Sequence, residues 1–273
     1  MMHDTELEAL AEALQRLGRQ LCAWRDDTAA RRIHEPKQFK TEVDRRSHEI
    51  LVAALGVLSP GVPVVSEEDD PAVLATLQRP QTYWLIDPLD GTASWYGGFD
   101  GFVTQVALID SGIPVAGAIH APVLGKTWLA RRGRGATLNG ALLRRRVPGD
   151  PLVFVDNTPV PHGITLAIMQ TMGSQAYRES GSLGLKAAMV ADGSADVFVK
   201  DVVVRDWDMA PAFAVLHEVG GALVGHDGRP YRFDGPLAKE GGFVVAATSS
   251  ISDMVMGAWR RHAMGSGQPG PHA

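Results

Sequence analysis

Leu7, Leu10, Leu14, Leu17 and Leu21 return every three or four residues along an otherwise polar stretch. That interval keeps them on one face of a helix and predicts an amphipathic helix over residues 5–24. Arg25 to Lys40 is charged and without period, which reads as a mobile loop. Thr41-Glu42-Val43-Asp44 then has the form of a capping box, and Val43, Ile50, Leu51, Ala54, Leu55 and Leu58 line one face of a second helix. Beyond it the pattern shortens. Val62 to Val65 is a brief apolar run, Pro71 to Gln78 a weak helix, and Tyr83 to Ile86 a short buried strand. Phe102–Ile109 and Ile113–Ile119 flank Asp110-Ser111-Gly112, the composition of a hairpin. Thr127–Ala130 continues the sheet to a turn at residues 131–135.

Pro148-Gly149-Asp150-Pro151 interrupts this order and marks a boundary. It separates an N-terminal α+β half, residues 1–145, from a C-terminal α/β half, residues 146–264. In the second half Leu152–Val155 reads as strand, Ile164–Met172 and Leu183–Ala191 as helix, and Val197–Val199 as strand. Ala212, Val215, Leu216 and Val219 form a stripe closed by Gly220-Gly221, a helix C-terminus. Pro211 has no N–H, so it is expected in the first turn of that helix, with Trp207 or Asp208 at the cap. Arg144-Arg145-Arg146 reads as a solvated loop run, and residues 265–273 as a disordered tail.

Composition narrows the class without naming an activity. With 273 residues, 45% of them apolar and 21% charged, the chain can bury a full core. A net charge of −5 leaves no basic footprint, so a nucleic-acid polymer is not an expected partner. Cys22 stands alone, which excludes a disulfide framework and fits a reducing compartment. The start lacks a basic region followed by an apolar stretch, and no run approaches the roughly 18 apolar residues of a membrane span. The expectation is a soluble, cytoplasmic α/β protein with no membrane partner.

Three acidic clusters change this picture. Asp87 and Asp90 follow the buried run on a turn stiffened by Pro88, with Gly91 and Thr92 next. Two like charges so close repel unless they are protonated, paired or metal-bound, although an acidic surface turn accounts for these two residues equally well. Ser66-Glu67-Glu68-Asp69-Asp70 follows another apolar run, and Trp207-Asp208 precedes an apolar helical pattern. Hard oxygen ligands at three element ends are the materials of a Mg²⁺ site. Their number points to two or more ions, the arrangement used in phosphoryl hydrolysis.

Taken in order, Glu67-Glu68, Asp87-Pro88-Leu89-Asp90-Gly91-Thr92 and Trp207-Asp208 resemble the inositol monophosphatase family of metal-dependent, lithium-sensitive phosphatases. The resemblance runs over nearly the whole chain. It implies a layered α-β-α-β-α sandwich, a homodimer, and a Mg²⁺-dependent phosphomonoesterase with two or three ions. Glu67, Asp87 and the Leu89 carbonyl would hold the first ion. Asp87 would bridge to a second, held with Asp90 and Asp208, and Glu67 with Asp44 through water would face a third. Thr92, held by Asp44, would orient the attacking water, and the Gly91 and Thr92 N–H groups would bind phosphate oxygens. Asp44 also has a plain structural reading as the capping acid of its own helix.

Weaker signals bear on the substrate. Gly181-Ser182-Leu183-Gly184-Leu185-Lys186 resembles the Gly-x-x-Gly-x-Lys of some bisphosphate nucleotidases, in which a Ser before the acid pair, here Ser66, is also common. A turn before a helix explains Gly181 without any ligand. Lys200 falls near where inositol phosphatases carry a substrate-binding acid, and a cation there suits a second phosphate. Gly181, Ser182, Lys186 and Lys200 thus join Gly91 and Thr92 as expected substrate contacts. The expected reaction is loss of the 3′-phosphate from adenosine 3′,5′-bisphosphate or a similar nucleotide. An inositol or other sugar phosphate is the alternative, because Val155-Asp156-Asn157-Thr158 departs from the Ser-Arg-Ser-His-like segment of many bacterial nucleotidases. A haloacid dehalogenase-type phosphatase separates its two acids by one residue, where two intervene here. A catalytically inert relative is disfavoured because every expected ligand is present.

Overall fold

The leucine stripe does what its spacing predicts: helix Asp4–Ala23 buries Leu10, Leu14, Leu17 and Leu21. In this computed structural model, which describes residues 3–35, 40–144 and 147–265, that helix pairs with helix Glu42–Leu58 on one face of a seven-stranded sheet. The strands lie in chain order: Val64–Ser66, Thr82–Asp90, Val103–Asp110, Ile113–Ala121, Lys126–Arg131, Gly135–Leu138 and Ala141–Leu142. The first pair is parallel and the rest antiparallel. Helices Leu183–Asp192 and Asp206–Glu218 cover the other face and also pack on a second, five-stranded sheet. That sheet is ordered Tyr177–Glu179, Phe154–Asp156, Val197–Lys200, Phe243–Ala246, Ala222–Gly225. Helices Gly163–Met172 and Ser249–Gly265 close its far side. The layers run α-β-α-β-α, as the resemblance implies.

The central strand explains why the Tyr83–Ile86 run is continuously apolar rather than alternating. Trp84 and Ile86 enter the core under the first helix pair, whereas Tyr83 and Leu85 enter the core shared with the second half. A sheet covered on both faces needs apolar side chains at every position. The strand is also longer than its apolar run, extending over Thr82–Asp90 through both acids. The acids therefore sit within the sheet and not on a turn beyond it.

Other boundaries shift for local reasons. Leu152–Val155 is replaced by strand Phe154–Asp156, and the weak helix shortens to Pro71–Ala75, capped by the Asp70 side chain. The 25–40 stretch carries a 3₁₀ turn, Trp24–Asp26, and a small strand pair, Ile33–Glu35 with Lys40–Thr41. Residues 36–39, Arg145, Arg146 and the tail from 266 lie outside the described residues, and Gly265 ends the last helix.

The placement of Pro211 needs correction. Helix Asp206–Glu218 begins after Arg205, so Pro211 sits in its second turn and Asp208 at the third helical position. The missing N–H leaves the Trp207 carbonyl without its helical donor, which propensity alone disfavours. Tertiary packing overrides that preference. The Pro211 carbonyl lies so close to Gly117 that a Cβ at 117 would come within 2.5 Å of it.

Gly181 is likewise more than a turn residue, because it lies backbone to backbone on Gly101. Ser182 N–H donates to the Gly101 carbonyl at 2.7 Å, and a Cβ at 181 would fall 1.8 Å from that oxygen. Gly181→Ala should destabilise the protein by about 1–3 kcal/mol, as overpacking does. Gly56→Ala, on an exposed helical surface with open space around it, should stabilise by about 0.5–1 kcal/mol. Urea unfolding of the two variants checks the contrast, and a Gly181→Ala protein as stable as wild type would show that the seam yields.

Candidate active site

The two acids of the central strand are three residues apart, so a regular strand would aim them at opposite faces. A bulge prevents this. Asp87 pairs with Gln105 and Asp90 with Val103, so three steps on one strand answer two on its neighbour. The extra residue restores parity and turns both carboxylates to one side. Gly91 follows at φ 94°, a left-handed conformation that favours glycine, and opens the short helix Thr92–Tyr96.

Glu67 reaches the same place from the end of the neighbouring parallel strand, its N–H donating to the Ile86 carbonyl at 3.2 Å. Asp208 arrives from the other half of the chain, on the first turn of its helix. One carboxylate oxygen from each of Glu67, Asp87 and Asp208 lies within 4.8 Å of the others. Asp87 Oδ1 accepts from the Leu89 N–H at 3.1 Å, but its Oδ2 is buried with no hydrogen-bond partner among the described residues. A fully buried, unpartnered carboxylate oxygen among other carboxylates is the donor set of a hard divalent cation. The residues present fit such an ion.

Asp90 is built differently. Its Oδ2 accepts from Gly184 N–H at 2.6 Å and from Gln105 Nε2 at 3.2 Å, and its Oδ1 from Leu183 N–H at 3.4 Å. The start of helix Leu183–Asp192 thus serves as its counter-charge. Gly184 is required for that approach, because a Cβ would sit 2.1 Å from Gln105 Oε1. Asp208 uses Oδ2 to accept the Arg205 N–H at 2.7 Å, capping its own helix.

Asp44 satisfies both readings at once. Its Oδ2 accepts from the Thr41 N–H at 2.6 Å and the Thr41 hydroxyl at 2.8 Å, the capping role. Its Oδ1 accepts from the Thr92 hydroxyl at 2.9 Å, and the Leu89 carbonyl lies 3.3 Å from that same hydroxyl. Leu89 is otherwise a core residue whose carbonyl faces this hydroxyl.

The electrostatics follow from crowding. Burial, then Glu67, Asp90 and Asp208, hold the Asp87 carboxyl well above its usual range. Burial, then Glu67 and Asp90, do the same to Asp208. Burial and neighbouring Glu68 raise Glu67 to about 7, against the pull of Lys40. Asp90 and Asp44 are raised by burial, with their N–H donors opposing. Beside Glu67 lies a cavity of about 800 Å³, lined in part by Lys40, Leu74, Arg79, Arg205 and Trp207.

The expected substrate contacts are more internal than the sequence implied. Ser182 caps its helix, its Oγ accepting from Leu185 N–H at 3.3 Å. Lys186 is buried, donates to the Gly181 carbonyl, and lies 5.1 Å from the Phe198 ring centre. Burial lowers its pKa to about 8. Lys200 is paired with the buried Asp156 at 2.7 Å and donates to Asn157 Oδ1 at 2.9 Å. Ser66 shapes its own loop, accepting from Glu68 N–H at 3.1 Å and meeting His48 Nδ1 at 2.9 Å. Gln105, which links Asp90 to the Asp208 carbonyl at 3.4 Å, went unrecognised. Its signal was a lone amide beside Thr104 within a largely apolar strand.

With this geometry in place, the family is settled by comparison. The sequence pattern of the inositol monophosphatase family matches residues 4–263, and the chain belongs to that family. It is 30% identical to the 3′(2′),5′-bisphosphate nucleotidase CysQ of Aggregatibacter actinomycetemcomitans, over 84% of this chain and 87% of that protein. It is 28% identical to the fructose-1,6-bisphosphatase/inositol-1-monophosphatase of Thermotoga maritima, over 71% and 73% respectively. Among solved structures, an IMPase from Thermotoga maritima superposes with a TM-score of 0.76 at 24% identity, covering 93% of this chain and 96% of that one. The protein is accordingly a phosphatase of the inositol monophosphatase family. No helix among the described residues is long and apolar enough to cross a membrane.

The raised carboxyls give a pH signature. Glu67 titrates at about 7 in the folded chain against 4.5 ordinarily, so the metal-free fold holds more protons than the unfolded chain between those values. Its contribution to stability must then fall as pH rises through that window. A divalent cation replaces those protons. Its addition should raise the melting temperature more at about pH 7.5 than at about pH 5.5, measured by thermal denaturation with and without chelator. An equal gain at both values would show that these carboxyls are not the ligands.

Proposed function

We propose that this protein is a Mg²⁺-dependent phosphomonoesterase that removes the 3′-phosphate of adenosine 3′,5′-bisphosphate or a similar phosphorylated nucleotide. The observation that carries the reaction is the convergence of Glu67, Asp87 and Asp208 around an unpartnered buried oxygen. In this reading Glu67, Asp87, Asp90, Asp208 and the Leu89 carbonyl hold two or three Mg²⁺ ions. Bound there, the ions supply neutralisation of the phosphate dianion and acidify a water as nucleophile. Lithium sensitivity, a homodimeric assembly and a cytoplasmic location belong to the same proposal.

The chain's own groups do the positioning. Thr92 commits its proton to Asp44 Oδ1, which leaves its lone pairs to accept from the attacking water and set that water's direction. The Gly91 and Thr92 N–H groups face the phosphate at the start of their short helix. Asp90 accepts from the Gly184 and Leu183 N–H groups, which oppose the upward push of burial on its carboxyl.

Nucleotide as substrate is supported by the likeness to CysQ; in this reading Lys186 and Lys200, which the chain pairs with the Gly181 carbonyl and with Asp156, supply the positive charge for a second phosphate. Gly181 and Ser182 belong to the same proposed set of substrate contacts. One observation favours the other reading, an inositol or sugar phosphate. Asp156 and Asn157 accompany Lys200, and a carboxylate and an amide accept hydrogen bonds from ring hydroxyls.

Steady-state kinetics separate the two: kcat/KM for adenosine 3′,5′-bisphosphate should exceed that for inositol 1-phosphate, and the reverse order rejects the nucleotide. Asp90→Asn should lower kcat by at least about a hundredfold, the scale on which a preorganised charge acts. Thr92→Ala should lower kcat more than it raises KM, because it releases the water rather than the phosphate. A Thr92→Ala enzyme impaired in KM alone contradicts that role.

A further inference from the structure

Asp206 lies outside the acidic cluster and is completely buried. Its Oδ1 accepts from the Tyr231 hydroxyl at 3.0 Å, its Oδ2 accepts from Arg79 Nη2, and Lys239 Nζ stands 3.6 Å from that same oxygen. Its backbone N–H donates to the Leu237 carbonyl at 3.0 Å. Arg79 continues the network, donating from Nη1 to the Tyr83 hydroxyl at 3.1 Å and the Phe233 carbonyl at 2.6 Å. Lys239 donates to the carbonyls of Asp234 at 2.7 Å and Pro236 at 2.6 Å. One carboxylate therefore joins three stretches remote in sequence: the approach to strand Thr82–Asp90, the first turn of helix Asp206–Glu218, and the 231–239 loop.

Two of those stretches deliver ligands to the acidic cluster. Tyr83 precedes Asp87 by four residues on one strand, and Asp206 precedes Asp208 by two on one helix. Glu67, Asp87 and Asp90 all come from adjoining strands, whose register fixes them. Asp208 alone of the four comes from a helix, outside the register of those strands. Something must hold that helix start in place before any cation binds.

We propose that Asp206 is a positioning residue: its buried ion pair with Arg79 locks the start of helix Asp206–Glu218 to strand Thr82–Asp90. The lock sets the separation of Asp208 from Asp87 on which divalent-cation affinity depends. This rests on the reading of Glu67, Asp87 and Asp208 as metal ligands. A pair that served folding alone would lower stability and leave the affinity untouched.

Calorimetric titration of the full chain with Mg²⁺, alongside thermal denaturation in chelator, tests the difference. Asp206→Asn should weaken Mg²⁺ binding by about tenfold or more, the scale seen when groups behind metal ligands are removed. Arg79→Gln should act comparably, and Arg79→Lys, which keeps the charge, should recover part of the affinity. Tyr231→Phe removes one neutral donor, should weaken binding a few-fold, and decides the matter if Asp206→Asn does not fold. The Mg²⁺ concentration for half-maximal phosphate release should move by the same factor as the binding constant, with kcat at saturation nearly kept. Variants that fold with a lowered melting temperature but bind Mg²⁺ within about twofold of wild type overturn the positioning role alone. A wild-type chain that binds no Mg²⁺ overturns the metal reading beneath it.

Discussion

Mutual repulsion of crowded carboxylates is the constraint to which the rest of this fold answers. Asp87 and Asp90 are buried, Glu67 and Asp208 half-buried beside them, and their crowding makes Glu67, Asp87 and Asp208 harder to ionise. Such a cluster disfavours folding unless protons, cations or oriented dipoles offset it. The architecture meets it with rigid supports. A bulge in a central strand aims two of the acids, a parallel neighbour supplies the third, and helix starts face Asp90 and carry Asp208. Asp87 keeps one oxygen with no hydrogen-bond partner among the described residues, which is where a metal would gain most.

The supports also explain the layered plan. The helices Leu183–Asp192 and Asp206–Glu218 are the shared middle layer, packed on both sheets. From there one helix presents N–H groups to Asp90 and the other presents Asp208, so the site lies at the seam between the two sheets. The seam is tight because glycines face backbone there: Gly181 on Gly101, and Gly117 on the Pro211 turn.

Much of this was legible beforehand. Periodicity located the helices because each buries a single stripe, and the three acidic clusters were visible because charges beside apolar runs are unusual. The layered sandwich came from the resemblance, since no local pattern reveals the order of sheets. What stayed hidden was what depends on tertiary packing. Pro211 was placed by its missing N–H alone, and Gly117 overruled it. Lys186 and Lys200 looked like free cations, but their partners, the Gly181 carbonyl and Asp156, are recognisable only once the strands are assembled. The ion pair of Arg79 with Asp206 spans the two halves and left no trace in either local sequence.

Asp44 divides its two oxygens between unrelated duties, one closing the first turn of helix Glu42–Leu58 and the other gripping the Thr92 hydroxyl. In the proposed mechanism folding and turnover would therefore draw on one carboxylate, which selection could not adjust for one without the other. A lineage drifting away from phosphatase activity would be expected to lose Thr92 well before Asp44, because the helix goes on needing its cap after the chemistry has gone. The order in which such residues decay would record which obligation was older, or at least harder to abandon.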